Sequence, residues 1–485
     1  MTMDKELLIA ALKEAYKRQF GCAPESVARI SAGGSNRKYI RMSSAAASAI
    51  ASIGTVKAEN KAFLYMSRHL AAEGLNVPQI YYASRDGMGY LQQDLGDLSL
   101  ADALKSESAS GRYGAAAKAL LADVVSTLPD IQYKGGRGMD WSVCYPSQCF
   151  DARMVAWDLS YFKYCFLKLT SFEIDEEALQ DDFDALSQRL LSVPCDCFMY
   201  RDFQSRNVML LDGTPYFIDY QGGRRGPAHY DLVSFLWQAR MRYPAKLKDE
   251  LTEVYLDSLQ AYKDVDRAVF RQQLQHFALF RTLQVLGAYG YRGLHEGKGH
   301  FLQSIPAALM NLKELASALK EDYPYISRMA RSLAADPELM KVPQLKEGVL
   351  TVEVCSFSFR KGMPKDCSGN GGGYVFDCRG LNNPGRYRRY DHSTGLDEDV
   401  IAFIEEDGGA AEYLSHIYPV AEKHVAKYIE RGFDHLMFSF GCTGGQHRSV
   451  YCAHALAGHL AGMFPQIRVV ERHLRIPAYR EGVER

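Results

Sequence analysis

Apolar residues recur at helical spacing from Leu7 to Phe20, after which VARISAGGSNRKYIRMS reads as two strands flanking a turn of Gly and Ser. Ala45 to Val56 predicts a third strand and Lys57 to about His69 a helix, and VPQIYYASRDGMGYLQQDLGDLSL predicts two short strands joined at Asp86-Gly87. The period is helical from Ser99 to Leu191, with aromatic residues at helical spacing in MVAWDLSYFKYCFLKL. Val208 to Leu211 and Tyr216 to Ile218 form a hairpin around Asp212-Gly213-Thr214-Pro215. Helices resume between Ala245 and Ser317, interrupted by the Gly-, Tyr- and His-rich run LGAYGYRGLHEGKGHFLQSIP. Ala318 to Lys346 tapers into a charged linker, and the pattern then starts afresh. LTVEVCSFSFRKGMP, GGGYVFDCRGLNNP and HLMFSFGC are strands, Tyr413 to Arg431 is helical, and the sum is a small α/β domain with a mainly parallel sheet. The expected partition is 1–95, strand-rich; 96–330, helical; 331–347, linker; and 348–485, α/β.

Composition narrows this only slightly. A chain of 485 residues with 47% hydrophobic and 24% charged residues suits two to four globular domains. A net charge of -1 argues against a wholly basic nucleic-acid binder but leaves room for a local basic patch. Eleven cysteines without a CxxC pair or zinc spacing read as reduced thiols of a cytoplasmic protein, and neither a membrane span nor a signal peptide is expected.

The candidate chemistry lies first in YRDFQSRNVMLLDGTPYFIDY. Asn207 opens the first hairpin strand and Asp219 follows the second, so two oxygen ligands emerge side by side, as Mg²⁺ bound to nucleotide phosphates requires. Asp202 lies just upstream, in place to orient an acceptor hydroxyl and take its proton. The turn Gly33-Gly34-Ser35-Asn36 offers backbone N–H groups to phosphates, with Arg37 and Lys38 beside it and Lys57 and Glu59 as the nearest cation–carboxylate pair. Trp157, Asp158, Arg206 and Arg225 are candidate substrate contacts.

A second locus is Gly441-Cys442-Thr443-Gly444-Gly445-Gln446-His447-Arg448-Ser449, between an apolar strand and a helix. Converging N–H groups, a helix N-terminus and Arg448 form an anion site. Cys442 and Arg448 stand at C-x5-R spacing, which also admits a thiolate nucleophile attacking phosphorus.

Arg201-Asp202-Phe203, Ser205-Arg206-Asn207, Ile218-Asp219-Tyr220-Gln221, Arg225-Gly226-Pro227 and Tyr230-Asp231-Leu232 resemble, in order, the motifs of the aminoglycoside phosphotransferase and choline kinase branch of the protein-kinase-like fold. Within it they look most like anomeric kinases of N-acetylmuramate and N-acetylglucosamine. The chain departs at Tyr200, where His is usual, and at Gly222, where some members carry Asp. The resemblance implies an α+β bilobal domain with residues 1–95 as the small lobe and 96–330 as the large one. It implies ATP and Mg²⁺ as cofactors, an amino sugar as substrate, and a nucleotide hinge at Gln93, Asp94 and Leu95. Asp231 would fasten the catalytic loop from behind, and Arg292 would lie beside the sugar pocket.

FSFRKGMP, DCRGLNNP, TGLD and GCTGGQHRSV, spread from Val349 to Pro477, resemble the RapZ C-terminal domain. That implies binding of a hexosamine phosphate through Asp377, Arg379, Thr394, Gly395, Cys442, Thr443, Gly444, Gly445, His447, Arg448 and Ser449, and an association with RNA. Arg379, Arg386, Arg388 and Arg389 interleaved with Tyr387 and Tyr390 suit RNA contact. Three readings follow: a sugar kinase with a sugar-phosphate sensor, an RNA-binding adapter with a kinase-like domain, or a kinase–phosphatase pair using Cys442.

Overall fold

The computed structural model describes residues 5–30, 37–295, 299–341, 349–364, 366, 373–430, 433–479 and 482–484. The turn Gly33-Gly34-Ser35-Asn36 lies outside them. Two compact units emerge, Met1–Tyr289 with Ser304–Lys341, and Gly290–Gln303 with Val342–Arg485.

The first unit opens with an antiparallel sheet in the order β1-β2-β3-β5-β4, built from β1 (Ser26–Ile30), β2 (Lys38–Ser43), β3 (Ser48–Ile53), β4 (Ile80–Ala83) and β5 (Gly89–Gln93). Alternation places Ala49, Ala51 and Ile53 of β3 on one face, where Leu8, Leu12 and Tyr16 of the helix Lys5–Phe20 cover them. β3 is shorter than the expected Ala45–Val56, because Ser44 N–H donates to the Ala47 carbonyl at 2.9 Å and turns the chain before the strand begins. The helix Lys57–Ala72 follows.

The large lobe is helical, and Arg267–Tyr289 packs against Ala152–Cys165, Glu176–Leu191 and Ile305–Ala318. Two small ribbons interrupt it. β6 (Cys197–Met199) pairs with β9 (Arg224–Gly226), and β7 (Val208–Leu211) pairs with β8 (Thr214–Phe217). The two-residue turn of the second ribbon, Asp212 at φ 51° and Gly213 at φ 79°, has both residues left-handed, as a tight hairpin demands. β8 starts at Thr214 rather than Tyr216, since Pro215 is tolerated at a ribbon edge.

The second unit holds a sheet in the order β11-β12-β10-β13-β14, made of β10 (Thr351–Ser358), β11 (Tyr374–Asp377), β12 (His435–Cys442), β13 (Arg468–His473) and β14 (Val483–Glu484). Every pairing is parallel except β13 with β14. Val352, Val354, Phe438 and Phe440 pack with Ile417, Ala421 and Val425 of the helix Gly409–Glu430 and with Cys452, Leu456 and Leu460 of the helix Arg448–Met463. Fold class therefore agrees with expectation in both units. Among the described residues, no helix is long and apolar enough to cross a membrane.

Candidate functional site

The β7–β8 ribbon sets the geometry. Val208 pairs with Phe217, and Ile218 N–H donates to the Asn207 carbonyl at 3.0 Å, so Asn207 and Asp219 leave the ribbon at the same end. Asn207 Nδ2 donates to the Asp202 carbonyl at 2.8 Å, which ties the amide to the Asp202 loop and turns its Oδ1 into the available acceptor. Asp219 sits at φ 71° and Arg201 at φ 78°, left-handed conformations that cost non-glycine residues energy and persist only where surroundings enforce them.

The enforcement is visible around Asp231, which is fully buried. Its carboxylate accepts the N–H groups of Tyr200 and Arg201, both at 2.8 Å, and Gln132 Nε2 at 3.3 Å. Burial pushes this acid up to about 7 despite those donors. Tyr200, at the position where His is usual, sends its hydroxyl to the Ile218 carbonyl, one residue before Asp219. The Tyr220 hydroxyl meets Ser67 Oγ at 2.7 Å on the helix Lys57–Ala72, and its ring stacks on Phe63 at 5.3 Å. The loop is thus pinned from both lobes.

Asp202 itself is 41% exposed at its side chain and accepts Arg281 Nη2 at 2.9 Å. Burial works to raise this carboxyl, but the guanidiniums of Arg281, Arg201 and Arg206 outweigh it and hold the acid below its ordinary range. Arg281, only 5% exposed, comes from the helix Arg267–Tyr289 and was not among the sequence candidates. The available signal was a lone arginine between Phe280 and Leu283 on an apolar helix face.

The remaining candidates of the first unit separate. Asp158 is buried and holds Arg201 through two bonds of 3.0 and 3.2 Å, while Trp157 is 56% exposed. Arg206 and Arg225 are exposed, whereas the neighbouring Arg224 is buried and donates to the Gly222 carbonyl at 3.1 and 3.0 Å. Arg37, only 5% exposed, forms an ion pair with Glu59 at 3.1 Å and lies over the Phe63 ring at 5.4 Å. Lys57 is exposed at the first residue of its helix, so Glu59 takes Arg37 as its partner instead. Gln93 ends β5, with Leu95 buried two residues on. Between them Asp94 accepts Arg41 Nε at 2.6 Å, Arg41 Nη2 at 3.0 Å and Ser48 Oγ at 2.5 Å, which locks this segment to β2 and β3. Arg292 belongs to Gly290–Gln303, in the segment that groups with the second unit, and lies over Tyr291 at 5.6 Å.

In the second unit, Cys442 ends β12 and is 3% exposed. Its sulfur lies 3.1 Å from Ser449 Oγ and accepts the Gly445 N–H at 3.2 Å. Burial opposes ionisation, yet the Ser449 hydroxyl and N–H, the Gly445 N–H and Arg448 together bring the thiol below its ordinary value. Gly445 has φ 73°, and a Cβ there would come within 2.8 Å of the Ser358 nitrogen. Thr443 and Gly444 form the open rim of the loop, and the Thr443 carbonyl accepts Ser358 Oγ at 2.7 Å. Gly395 is equally confined: its N–H donates to the Gln446 carbonyl at 2.9 Å, and a Cβ would meet the His447 carbonyl at 2.2 Å.

Thr394, beside Gly395, bonds Asp397 at 2.6 and 3.0 Å, and His447 Nε2 lies 3.0 Å from the Tyr390 carbonyl. Asp377 and Arg379 pair at 2.6 Å on the surface. Arg448, expected to grip an anion, is buried, and its Nη1 donates to the carbonyls of Arg379 and Leu381 at 2.7 and 3.1 Å. That guanidinium is built into the wall of the loop.

Comparison with known proteins is consistent with this division. The RapZ C-terminal domain matches residues 350–476, and the phosphotransferase enzyme family matches residues 26–268, half of the chain. A nucleotide-binding protein from Methylococcus capsulatus is 33% identical over 190 residues, covering 37% of this chain and 61% of that protein. One from Thermotoga neapolitana is 32% identical over 165 residues, covering 34% of this chain and 54% of that protein. The chain therefore spans little more than half the length of these relatives. Choline kinase LicA from Streptococcus pneumoniae gives a TM-score of 0.45 at 13% identity, over 64% of this chain and 99% of that one. The chain belongs to the phosphotransferase enzyme family and carries a RapZ C-terminal domain behind its kinase-like domain.

Proposed function

We propose that this protein is a Mg²⁺- and ATP-dependent kinase of a sugar hydroxyl, with an amino sugar of the N-acetylmuramate or N-acetylglucosamine type as acceptor and a C-terminal module that binds a hexosamine phosphate. The observation that supports the reading is the ribbon end, where Asn207 and Asp219 leave the two strands together and the Asn207 amide is bonded to the Asp202 backbone carbonyl. A hard oxygen pair of this kind fits Mg²⁺, which would neutralise charge on the phosphoryl group when bound. Asp202 orients the acceptor hydroxyl and takes its proton as the bond to phosphorus forms. Its low basicity suits a loose transition state, in which orientation contributes more than early proton removal. Arg37, held by Glu59, supplies the fixed positive charge for the nucleotide phosphates. Gln93 and Leu95 flank a hinge held rigid at Asp94, where backbone groups would meet the adenine edge. ADP release, screened across amino sugars and aminoglycosides with Asp202→Asn as the control, tests this. Release with aminoglycosides alone, or release that survives Asp202→Asn, overturns it.

A second reading draws on a separate observation. Arg386, Tyr387, Arg388 and Arg389 are exposed together, and the Arg389 guanidinium lies over the rings of Tyr390 at 4.7 Å and Tyr387 at 5.7 Å. Cationic and aromatic groups side by side suit single-stranded RNA. A filter-binding assay with structured and unstructured RNA separates this role from sugar-phosphate binding. The phosphatase reading is tested by Cys442→Ser, which removes any hydrolysis of a hexosamine phosphate if the thiolate is the nucleophile.

A further inference from the structure

β13 alternates buried and partly exposed positions, and its buried face carries Val469, then Glu471, then His473. A strand pattern that should place apolar groups on that face places a carboxylate and an imidazole there instead. The helix Arg448–Met463 packs on the same strand and contributes His454. His454 Nδ1 lies 2.9 Å from Glu471 Oε1, and His473 Nε2 lies 2.7 Å from the same oxygen. One donor atom from each of the three residues falls within 4.8 Å of the others.

We infer that His454, Glu471 and His473 form a binding site for one divalent transition-metal ion, with Zn²⁺ the ion their donor set matches.

Two imidazole nitrogens and one carboxylate oxygen are the donors of a three-ligand zinc site whose fourth position is taken by water. Zinc–ligand distances of about 2.0 to 2.2 Å at tetrahedral angles put neighbouring donors about 3.4 Å apart. The measured pairs, at 2.9 and 2.7 Å, reach that by opening about 0.5 and about 0.7 Å. A supporting contact is also in place. Ser356 of β10 sits in register with His473, is fully buried, and puts its Oγ 2.9 Å from His473 Nδ1. That contact fixes which imidazole nitrogen faces Glu471, the usual arrangement behind a metal-bound histidine. Access comes from one side only: the His454 side chain is 38% exposed, while those of Glu471 and His473 are shut off. An ion there would join β13 to the helix that starts at Arg448, and so brace the Cys442–Ser449 loop.

The full chain, stripped with a chelator, is titrated with Zn²⁺ by calorimetry and with Co²⁺ by visible absorption. The expected result is one ion per chain with the intense d–d bands of tetrahedral Co²⁺. His454→Ala, a partly exposed change checked for folding by circular dichroism, abolishes both signals. Ser356→Ala weakens binding by about 10- to 100-fold. Failure of the unaltered chain to bind overturns the assignment and leaves a buried hydrogen-bonded network. Undiminished binding by His454→Ala also overturns it, placing the metal elsewhere in the chain.

Discussion

The Asp202 loop of the kinase-like unit and the glycine loop of the C-terminal unit solve a similar problem with opposite means. Each holds an ionisable side chain near the end of a strand and surrounds it with donors that favour its charged form. Around Asp202 the work is done by full charges, with Arg281 bonded directly to the carboxylate and Arg201 and Arg206 nearby. Around Cys442 it is done largely by neutral donors from Ser449 and Gly445, and Arg448 spends its Nη1 on backbone carbonyls. The difference follows from exposure. A half-exposed carboxylate ionises readily and needs orientation, which a rigid guanidinium fork provides. A buried thiol needs N–H and O–H groups aimed at the sulfur, because a loose ion pair there would leave charge poorly solvated.

The largest expected effect tests the first half of this contrast. Asp202→Asn should lower the rate of ADP release by about 10²- to 10⁴-fold, the usual contribution of a positioned proton acceptor. Asp231→Ala removes the acceptor of two buried N–H groups and should destabilise the unit by about 2 to 5 kcal/mol in urea unfolding. The sign of its pH dependence is fixed. A folded-state value of about 7, above the ordinary 3.8, means that Asp231 costs stability progressively as pH rises between the two, so the gap between unaltered chain and variant should narrow across that window.

Arg37→Ala should raise the KM for ATP by about 10-fold or more, while Lys57→Ala should leave it within about 2-fold, because only Arg37 is held in place by Glu59. An equal effect of the two would remove Arg37 as the phosphate-binding cation. Arg281→Ala takes away the nearest positive charge, so the Asp202 pKa rises and the acid limb of the kcat/KM profile should move to higher pH. The smallest effect belongs to the other loop. Arg448→Ala should cost about 1 to 3 kcal/mol by leaving the carbonyls of Arg379 and Leu381 unpaired, and should still permit anion binding at the N–H groups of the loop. Complete loss of anion binding in a folded variant would show that Arg448 holds the anion itself.

Short-range order was legible before the fold was known. The ribbon that brings Asn207 next to Asp219 needs only a two-residue turn and a period of two, both written in consecutive residues. The same holds for the strand–loop–helix at Cys442, while alternating strands and helices signal the mainly parallel character of the second sheet but not its strand order. The strand expected from Ala45 begins only at Ser48, because a local turn at Ser44–Ala47 competes with propensity, a contest periodicity does not see.

What only the tertiary structure decided are the partners that arrive from far along the chain. Arg281 meets Asp202 across 79 positions, Asp158 meets Arg201 across 43, and Ser356 meets His473 across 117. Each such side chain, read alone, is an ordinary polar residue on a helix or strand. Its role is fixed by burial, since a charge removed from water must be paired, and the identity of the pair depends on which elements pack together. The sequence by itself determined the hairpin, the strand–loop–helix and the candidate groups they carry. Packing determined which charges hold those groups, because long-range pairing is set by the folded core and not by spacing.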